Sequence, residues 1–156
     1  MKPTLPPPVL SITALQKVII EEFTHLEGDR ESMLTYIIEL GTRLAPMNPT
    51  HKNEHNLIQG CMAKVWLTYM ITQDRLFFEG DSNTAITKGL ISLLLRVFSG
   101  QRATDIVKAN LFFLGKLNIL GLVGAQRASG LAQMIKKIKL IAITKTIHTN
   151  VHESIS

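Results

Sequence analysis

The sequence predicts an α+β domain, in which a small antiparallel β-sheet of about three strands packs against several helices. Apolar residues recur at helical spacing in residues 12–44 and again in much of the second half of the chain. Between them, residues 63–70 alternate apolar and polar side chains as a strand does. A chain of 156 residues with 46% hydrophobic residues is also of the right size for one domain with a substantial core.

Two helices are predicted near the start of the chain. Residues 1–10 are a proline-rich arm, which we expect to be extended. Ser11 is the candidate cap of the first helix, whose apolar residues are Ile12, Leu15, Ile19, Phe23 and Leu26. Asp29 is the candidate cap of the second, whose apolar residues are Met33, Ile37, Leu40 and Leu44. Residues 45–56 form a loop that is long for a compact domain, which favours a functional segment.

A β-hairpin follows this loop. The segment "AKVWLTYM" is rich in β-branched and aromatic residues and is predicted to be a strand. The segment "TQD" forms the turn, and "RLFFEG" is the second strand. We expect "NLIQ", residues 56–59, to add a third strand.

The second half of the chain is predicted to be helical. Residues 80–100 form a strong helix with Asp81 or Ser82 as its cap and Gly100 as its stop, and its buried residues are Ile86, Leu90, Leu93, Leu94 and Val97. Gly89 lies inside this helix at a cost of up to roughly 1 kcal/mol, so we expect close packing against the sheet there. Two short helices over 103–117 and an amphipathic helix over 131–145 follow. One domain therefore covers residues 11–146, and residues 147–156 form a frayed tail.

The charge is unevenly distributed. Residues 1–100 carry 9 Lys/Arg against 10 Asp/Glu, whereas residues 101–156 carry 8 against 2, so the net charge of +5 comes from the C-terminal part. Most of these charges fit a solvated helix face, and no basic patch is interleaved with aromatic residues, so we expect no nucleic-acid partner. "GLISLLLRVF" is about half the length that crosses a bilayer, and "MKPTLPPPVL" has no continuous apolar run of signal-peptide type. These features, with a single cysteine, predict a cytoplasmic protein without a membrane partner.

The single cysteine, Cys61, is the candidate reactive residue. It follows Gly60, which allows a positive φ and a sharp turn that would present the thiol outward. A thiol reacts as its thiolate, which a nearby base or cation favours, and the candidates are Lys64, His51, His55 and Arg127.

Three other interpretations of Cys61 remain open. A Cys–His hydrolase would use one of the loop histidines as its base, although an exposed polar loop explains those histidines more simply. A metal site of His51, His55 and Cys61 matches no common zinc spacing. A buried structural cysteine in a protein-interaction module is the third. A dithiol redox site is excluded, because no second cysteine exists.

Four segments, in this order and spacing, resemble the SufE family of sulfur-acceptor proteins in iron–sulfur cluster assembly. They are "YIIELGTRL", "IQGCMAKVWL", "EGDSNTAITKGLISLLLRVFSG" and "QRASGLAQMIKKIK", and the resemblance runs from Met33 to Lys139. It implies that Cys61 accepts a persulfide sulfur from a pyridoxal-phosphate-dependent cysteine desulfurase, stimulates that enzyme's turnover and passes the sulfur to an iron–sulfur scaffold. It also implies no cofactor or metal of the chain's own, and it makes Arg127 the family's arginine.

The residues near Cys61 agree with this resemblance in part. Gly60 and Gln59 would support the loop, whereas Met62 and Ala63 stand where the family commonly has Gln-Ser. Persulfide transfer is a thiol exchange that needs one cysteine, and a relay that acts only with a desulfurase is an enzyme only in the sense of a sulfurtransferase. One cysteine cannot hold a cluster, which takes about four ligands. The apolar neighbours Leu57, Ile58, Met62 and Ala63 predict a thiol that is mostly buried at rest and moves outward on docking.

Overall fold

The computed structural model describes the backbone of residues 10–155 and the side chains of residues 10–147. The predicted arm, apart from Leu10, lies outside the described residues, as do the side chains of the predicted tail beyond Ile147. The α-helices are α1 Ile12–Phe23, α2 Arg30–Thr42, α3 Ala85–Phe98, α4 Ala103–Lys108, α5 Phe112–Lys116, α6 Ile119–Val123 and α7 Ala125–Ile155. The strands are β1 Val65–Thr72, β2 Arg75–Ser82 and β3 Gln101–Arg102. The predicted α+β class is confirmed.

The first two helices begin at the predicted caps. The backbone N–H of Ala14 donates to the Ser11 hydroxyl at 3.1 Å, and that of Ser32 donates to the Asp29 carboxylate at 3.1 Å. Each cap satisfies one amide that has no partner inside its helix. No helix in the described part of the chain is both long and apolar enough to cross a membrane.

The sheet is antiparallel with the strand order β1-β2-β3. The predicted hairpin is present, but the predicted third strand at residues 56–59 is wrong. The third strand is β3, which pairs with β2, whereas Leu57 makes a single bridge to Trp66. The chain leaves the edge of β1 after that bridge because Gly60, at φ +86°, turns it away.

The predicted cap of α3 is also wrong. Asp81 and Ser82 both belong to β2, and α3 begins after Thr84 without a side-chain cap. Ser82 is held in the ladder opposite Val65. The Asp81 carboxylate is held by two ammonium groups, that of Lys52 at 2.5 Å and that of Lys88 at 3.4 Å.

Helix α3 lies at the centre of the core rather than burying a single stripe. Its buried apolar residues are Leu90, Ile91, Leu93, Leu94, Leu95, Val97 and Phe98. One side faces β2, and the other faces α2. Gly89 makes the second contact possible, because a Cβ there would overlap the carbonyl oxygen of Ile37 on α2. Close packing at Gly89 is therefore confirmed, but against α2 and not against the sheet.

We expect Gly89→Ala to lower the free energy of unfolding by about 1–3 kcal/mol, because the added methyl group must push α2 and α3 apart. Gly115→Ala is the matched control, since Gly115 also lies in a helix and a Cβ there would have nothing within 4 Å. The control should be neutral or more stable by up to about 1 kcal/mol. Urea unfolding of the two variants measures both, and equal stabilities would contradict the role assigned to Gly89.

Candidate functional site

The loop that carries Cys61 precedes β1 in the chain and packs between the edge of the sheet and helix α7. Gly60 adopts the predicted positive φ, and a Cβ at this position would lie 3.1 Å from the Gln133 side chain of α7. At the other end of the loop, the Lys64 N–H donates to the Asn83 amide oxygen at 2.9 Å, and the Asn83 N–H donates to the Lys64 carbonyl at 3.1 Å. The loop is therefore fixed on both sides of the cysteine.

The Cys61 sulfur packs on the backbone of α7. Its thiol donates to the carbonyl oxygen of Gly130 at 3.5 Å, and a Cβ on Gly130 would lie 3.6 Å from the sulfur. Gly130 thus brings the helix backbone into contact with the thiol. Cys61 is partly buried, and burial raises the pKa of its thiol because the thiolate loses hydration.

A cavity of about 320 Å³ opens beside Cys61. Its polar wall is built from the start of α3 and the start of α7, and it consists of Asn83, Thr84, Thr87, Gln126 and Arg127. Arg127 therefore shares the cavity with the cysteine. Its guanidinium donates to the Val123 carbonyl at 3.2 Å and so lies back along the first turn of α7. Burial alone shifts the pKa of Cys61, so no cation lowers it in this arrangement.

Two of the residues that sequence analysis placed around the thiol, Gln59 and Met62, are exposed. Gln59 is exposed, and its side chain makes no hydrogen bond within the described part of the chain. Met62 is 80% exposed, so the expectation that it shields the thiol is wrong. Ile58 is buried, as expected for an apolar neighbour. The shielding comes instead from the backbone of α7 at Gly130.

Neither loop histidine lines the cavity beside Cys61. The His51 ring lies 2.5 Å from the Glu79 carboxylate on β2, and His55 is exposed. The ammonium group of neighbouring Lys52 also contacts the sheet, where it lies 5.6 Å from the centroid of the Trp66 ring. These contacts hold residues 51 and 52 against the sheet. Within the described residues, no group of three His, Cys, Asp or Glu side chains could hold a metal ion.

Sequence reasoning missed Asn83, Thr87 and Gln133. Asn83 fits the general pattern of a polar loop residue, and Thr87 fits a helix position, so neither carries a local signal for a site. Their proximity to the cysteine loop follows from the packing of α3 and α7, which depends on contacts far apart in sequence.

Comparisons of this chain with family models and with curated proteins point to the same family. A family model described as "SufE: Fe-S metabolism associated domain" matches residues 17–142. An uncharacterized SufE-like protein of Rhizobium meliloti (strain 1021) is 38% identical over 126 residues, which cover 78% of this chain and 89% of the relative. An uncharacterized SufE-like protein of Rhizobium etli is 32% identical over 126 residues, covering 78% of this chain and 84% of the relative.

The fold also matches a solved structure. The solution structure of a hypothetical protein from Thermus thermophilus superposes with a TM-score of 0.68 at 13% identity, covering 85% of this chain and 96% of the other. At that identity the match supports the fold alone. The family model covers most of the domain, and the two rhizobial relatives span most of their own length. The chain therefore belongs to the SufE family, whose domain is associated with iron–sulfur metabolism.

Proposed function

We propose that this protein is a cytoplasmic sulfur carrier that accepts a persulfide sulfur on Cys61 from a pyridoxal-phosphate-dependent cysteine desulfurase. It stimulates the turnover of that enzyme and passes the sulfur to an iron–sulfur scaffold. The observation that carries this proposal is the position of the chain's only thiol. Cys61 lies on a glycine turn beside a polar cavity, in a family associated with iron–sulfur metabolism.

The chemistry requires only the thiol of Cys61. Its thiolate attacks the outer sulfur of the donor's persulfide, a new S–S bond forms, and the donor cysteine leaves as a thiolate. The proton of Cys61 is lost to solvent or to the donor before the attack. The second transfer repeats the same exchange toward a thiolate of the scaffold. No net oxidation occurs, because one S–S bond replaces another.

The resting thiol is protonated and slow to react. Burial holds the pKa of Cys61 above its ordinary value, and the Arg127 guanidinium is directed at a backbone carbonyl. Only the thiolate is a nucleophile, so a stray electrophile or oxidant meets a largely inert group. Docking of the donor must therefore change the surroundings of the sulfur before transfer begins.

The contacts of the loop favour such a change. The S–H···O contact to Gly130 is a weak hydrogen bond, and its loss costs little. The two bonds between Lys64 and Asn83 lie at the far end of the loop and act as its fixed base. A rotation at Gly60 moves the sulfur from α7 into the donor's active site while that base stays in place.

We expect Cys61→Ser to abolish both sulfur acceptance and the stimulation of desulfurase turnover, because no other residue of the chain is a thiol. Intact mass after incubation with desulfurase and cysteine measures the first, and sulfide release measures the second. The variant should keep the unfolding midpoint of the wild type within experimental error, since the side chain is partly exposed. Full stimulation by the variant would contradict the proposal. A wild-type protein that never gains a sulfur atom would instead be an interaction module with a structural cysteine.

Arg127→Ala should slow sulfur acceptance by about tenfold, because the exposed guanidinium beside the cavity can bind an acidic group of the docked donor. It should change stability by less than about 1 kcal/mol, because the side chain is exposed. Arg43→Ala is the matched control, since it removes an exposed arginine on α2 whose pair with Glu39 is worth about 0.5 kcal/mol or less. Single-turnover transfer from a persulfidated desulfurase gives the rates. Equal rates for the two variants would make Arg127 an ordinary surface residue.

The raised pKa of Cys61 predicts a shifted pH profile for alkylation. In the folded protein, the rate of labelling by iodoacetamide should be low at neutral pH and should rise at a higher pH than in the urea-unfolded chain, because the thiolate fraction increases only as the pH approaches the pKa. The unfolded chain is the internal control for the same thiol. Superimposable profiles would show that burial does not protect the sulfur.

A further inference from the structure

Met62 is an exposed apolar side chain directly beside the reactive cysteine. It is 80% exposed, which is more than any other large apolar side chain in the described part of the chain. A single exposed apolar residue is ordinary on a protein surface. The position of Met62 is unusual, because it follows the chain's only thiol and lines the same cavity. A partner that reaches the sulfur of Cys61 therefore meets Met62.

Met62 lies in the middle of the short segment that carries the sulfur. The loop is fixed before this segment at Gly60, which packs against α7, and after it at Lys64, which is hydrogen-bonded to the residue that follows β2. Only residues 61–63 lie between these two points, and the chain bends there. Consecutive Cα atoms are about 3.8 Å apart. An outward movement of the Cys61 sulfur therefore carries Met62 outward with it.

Sulfur transfer brings the donor into contact with this segment. The attacking and attacked sulfur atoms must approach to about 3–3.5 Å before the new S–S bond forms. Because the donor's persulfide belongs to an enzyme active site, the walls of that site surround the tip of the loop at this distance. Met62 then passes from 80% exposure to burial against the donor. The chemistry of its side chain determines which surface can cover it.

We propose that Met62 determines which donor this protein accepts, and that its side chain fits an apolar patch at the entrance of the donor's active site. This role rests on the proposed sulfur relay and adds the chemistry of the partner's surface to it. The Met62 side chain has no hydrogen-bond donor and only a weak acceptor, so a polar entrance would lose hydration against it without gaining a hydrogen bond. An apolar entrance is stabilised by the contact, and the flexible thioether adapts to its shape.

The residues around Met62 form a polar border. Gln59 and Lys64 are exposed in the loop, and Gln126 and Arg127 are exposed across the cavity at the start of α7. An apolar contact enclosed by polar residues is the usual arrangement of a protein interface, in which a few central side chains contribute most of the affinity. Salt screens a contact of Lys64 or Arg127 with an acidic group, but it does not weaken an apolar contact. The contribution of Met62 should therefore persist in salt.

Substitution of Met62 tests this role. Met62→Gln keeps the length of the side chain and replaces the thioether by an amide, which is unfavourable to bury without a hydrogen-bond partner. Sulfur acceptance is measured at increasing concentrations of the variant, with a persulfidated cysteine desulfurase from which the wild-type protein accepts sulfur. The half-saturating concentration should rise about tenfold or more, because burial of a methionine side chain contributes at least that much to binding. The maximal rate should change by less than about twofold, because the reacting thiol is unchanged.

Two variants and one pH profile distinguish this role from a structural one. Met70→Gln makes the same change at a 70% exposed site on β1, and it should alter the half-saturating concentration by less than about twofold. Met62→Leu keeps an apolar side chain and should stay within about threefold of the wild type. The pH profile of Cys61 alkylation should be the same in Met62→Gln and in the wild type, since the loop contacts at Gly60 and Lys64 remain.

The dependence on salt gives an independent measurement. At high ionic strength, the effect of Met62→Gln should be retained, whereas the effect of Arg127→Ala should diminish. Equal effects of Met62→Gln and Met70→Gln would overturn the role of Met62 and leave the sulfur relay intact. Equal losses in Met62→Gln and Met62→Leu would overturn the apolar patch. A wild-type protein that accepts no sulfur would overturn the relay, and the role of Met62 with it.

Discussion

The close approach of α2 to α3 at Gly89 is the contact on which the rest of the molecule depends. A Cβ at Gly89 would overlap the Ile37 carbonyl, and a Cβ at Gly41 would lie 2.8 Å from the Gly89 nitrogen. The two backbones can therefore touch only because both positions are glycine. On its other side, α3 meets β2, where a Cβ at Gly80 would lie 3.2 Å from the Ile91 side chain. This packing fixes the start of α3, and with it the position of Thr87 beside the cysteine.

Helix α7 supplies the other half of the site, and a partly buried lysine ties it to the core. The Lys139 ammonium donates to the carbonyls at the end of α4, most closely to that of Ala109 at 2.6 Å. Burial lowers the pKa of Lys139, while the carbonyls of a helix C-terminus favour a cation. Nine residues earlier on the same helix, the Gly130 carbonyl accepts from Cys61. The position of α7, which these bonds to α4 fix, therefore determines how deeply the Cys61 thiol is buried.

Local signals in the sequence were enough to predict the helix caps at Ser11 and Asp29, the hairpin and the positive φ at Gly60, because each depends on a few neighbouring residues. Local signals failed where segments that are distant in sequence could each pair with the sheet. The third strand is formed by residues 101–102, since Gly100, at φ +84°, turns the chain back beside β2 and its N–H donates to the Leu76 carbonyl. At the site, Cys61 and Arg127 could be identified from the resemblance, whereas the contact of Asn83 with Lys64 spans 19 residues and has no local signature.

The polar side chains near the sulfur belong to helix ends and not to the loop that carries Cys61. In the loop itself, Met62 and Ala63 occupy the positions where the family commonly has Gln-Ser, so the loop carries no polar side chain next to the thiol. The polar wall of the cavity belongs instead to α3 and α7, which are packed into the core. In the proposed relay, a sulfur that moves outward leaves that wall behind, because the wall cannot follow. Stabilisation of the thiolate during transfer then has to come from the docked donor, and the reactivity of Cys61 becomes conditional on docking.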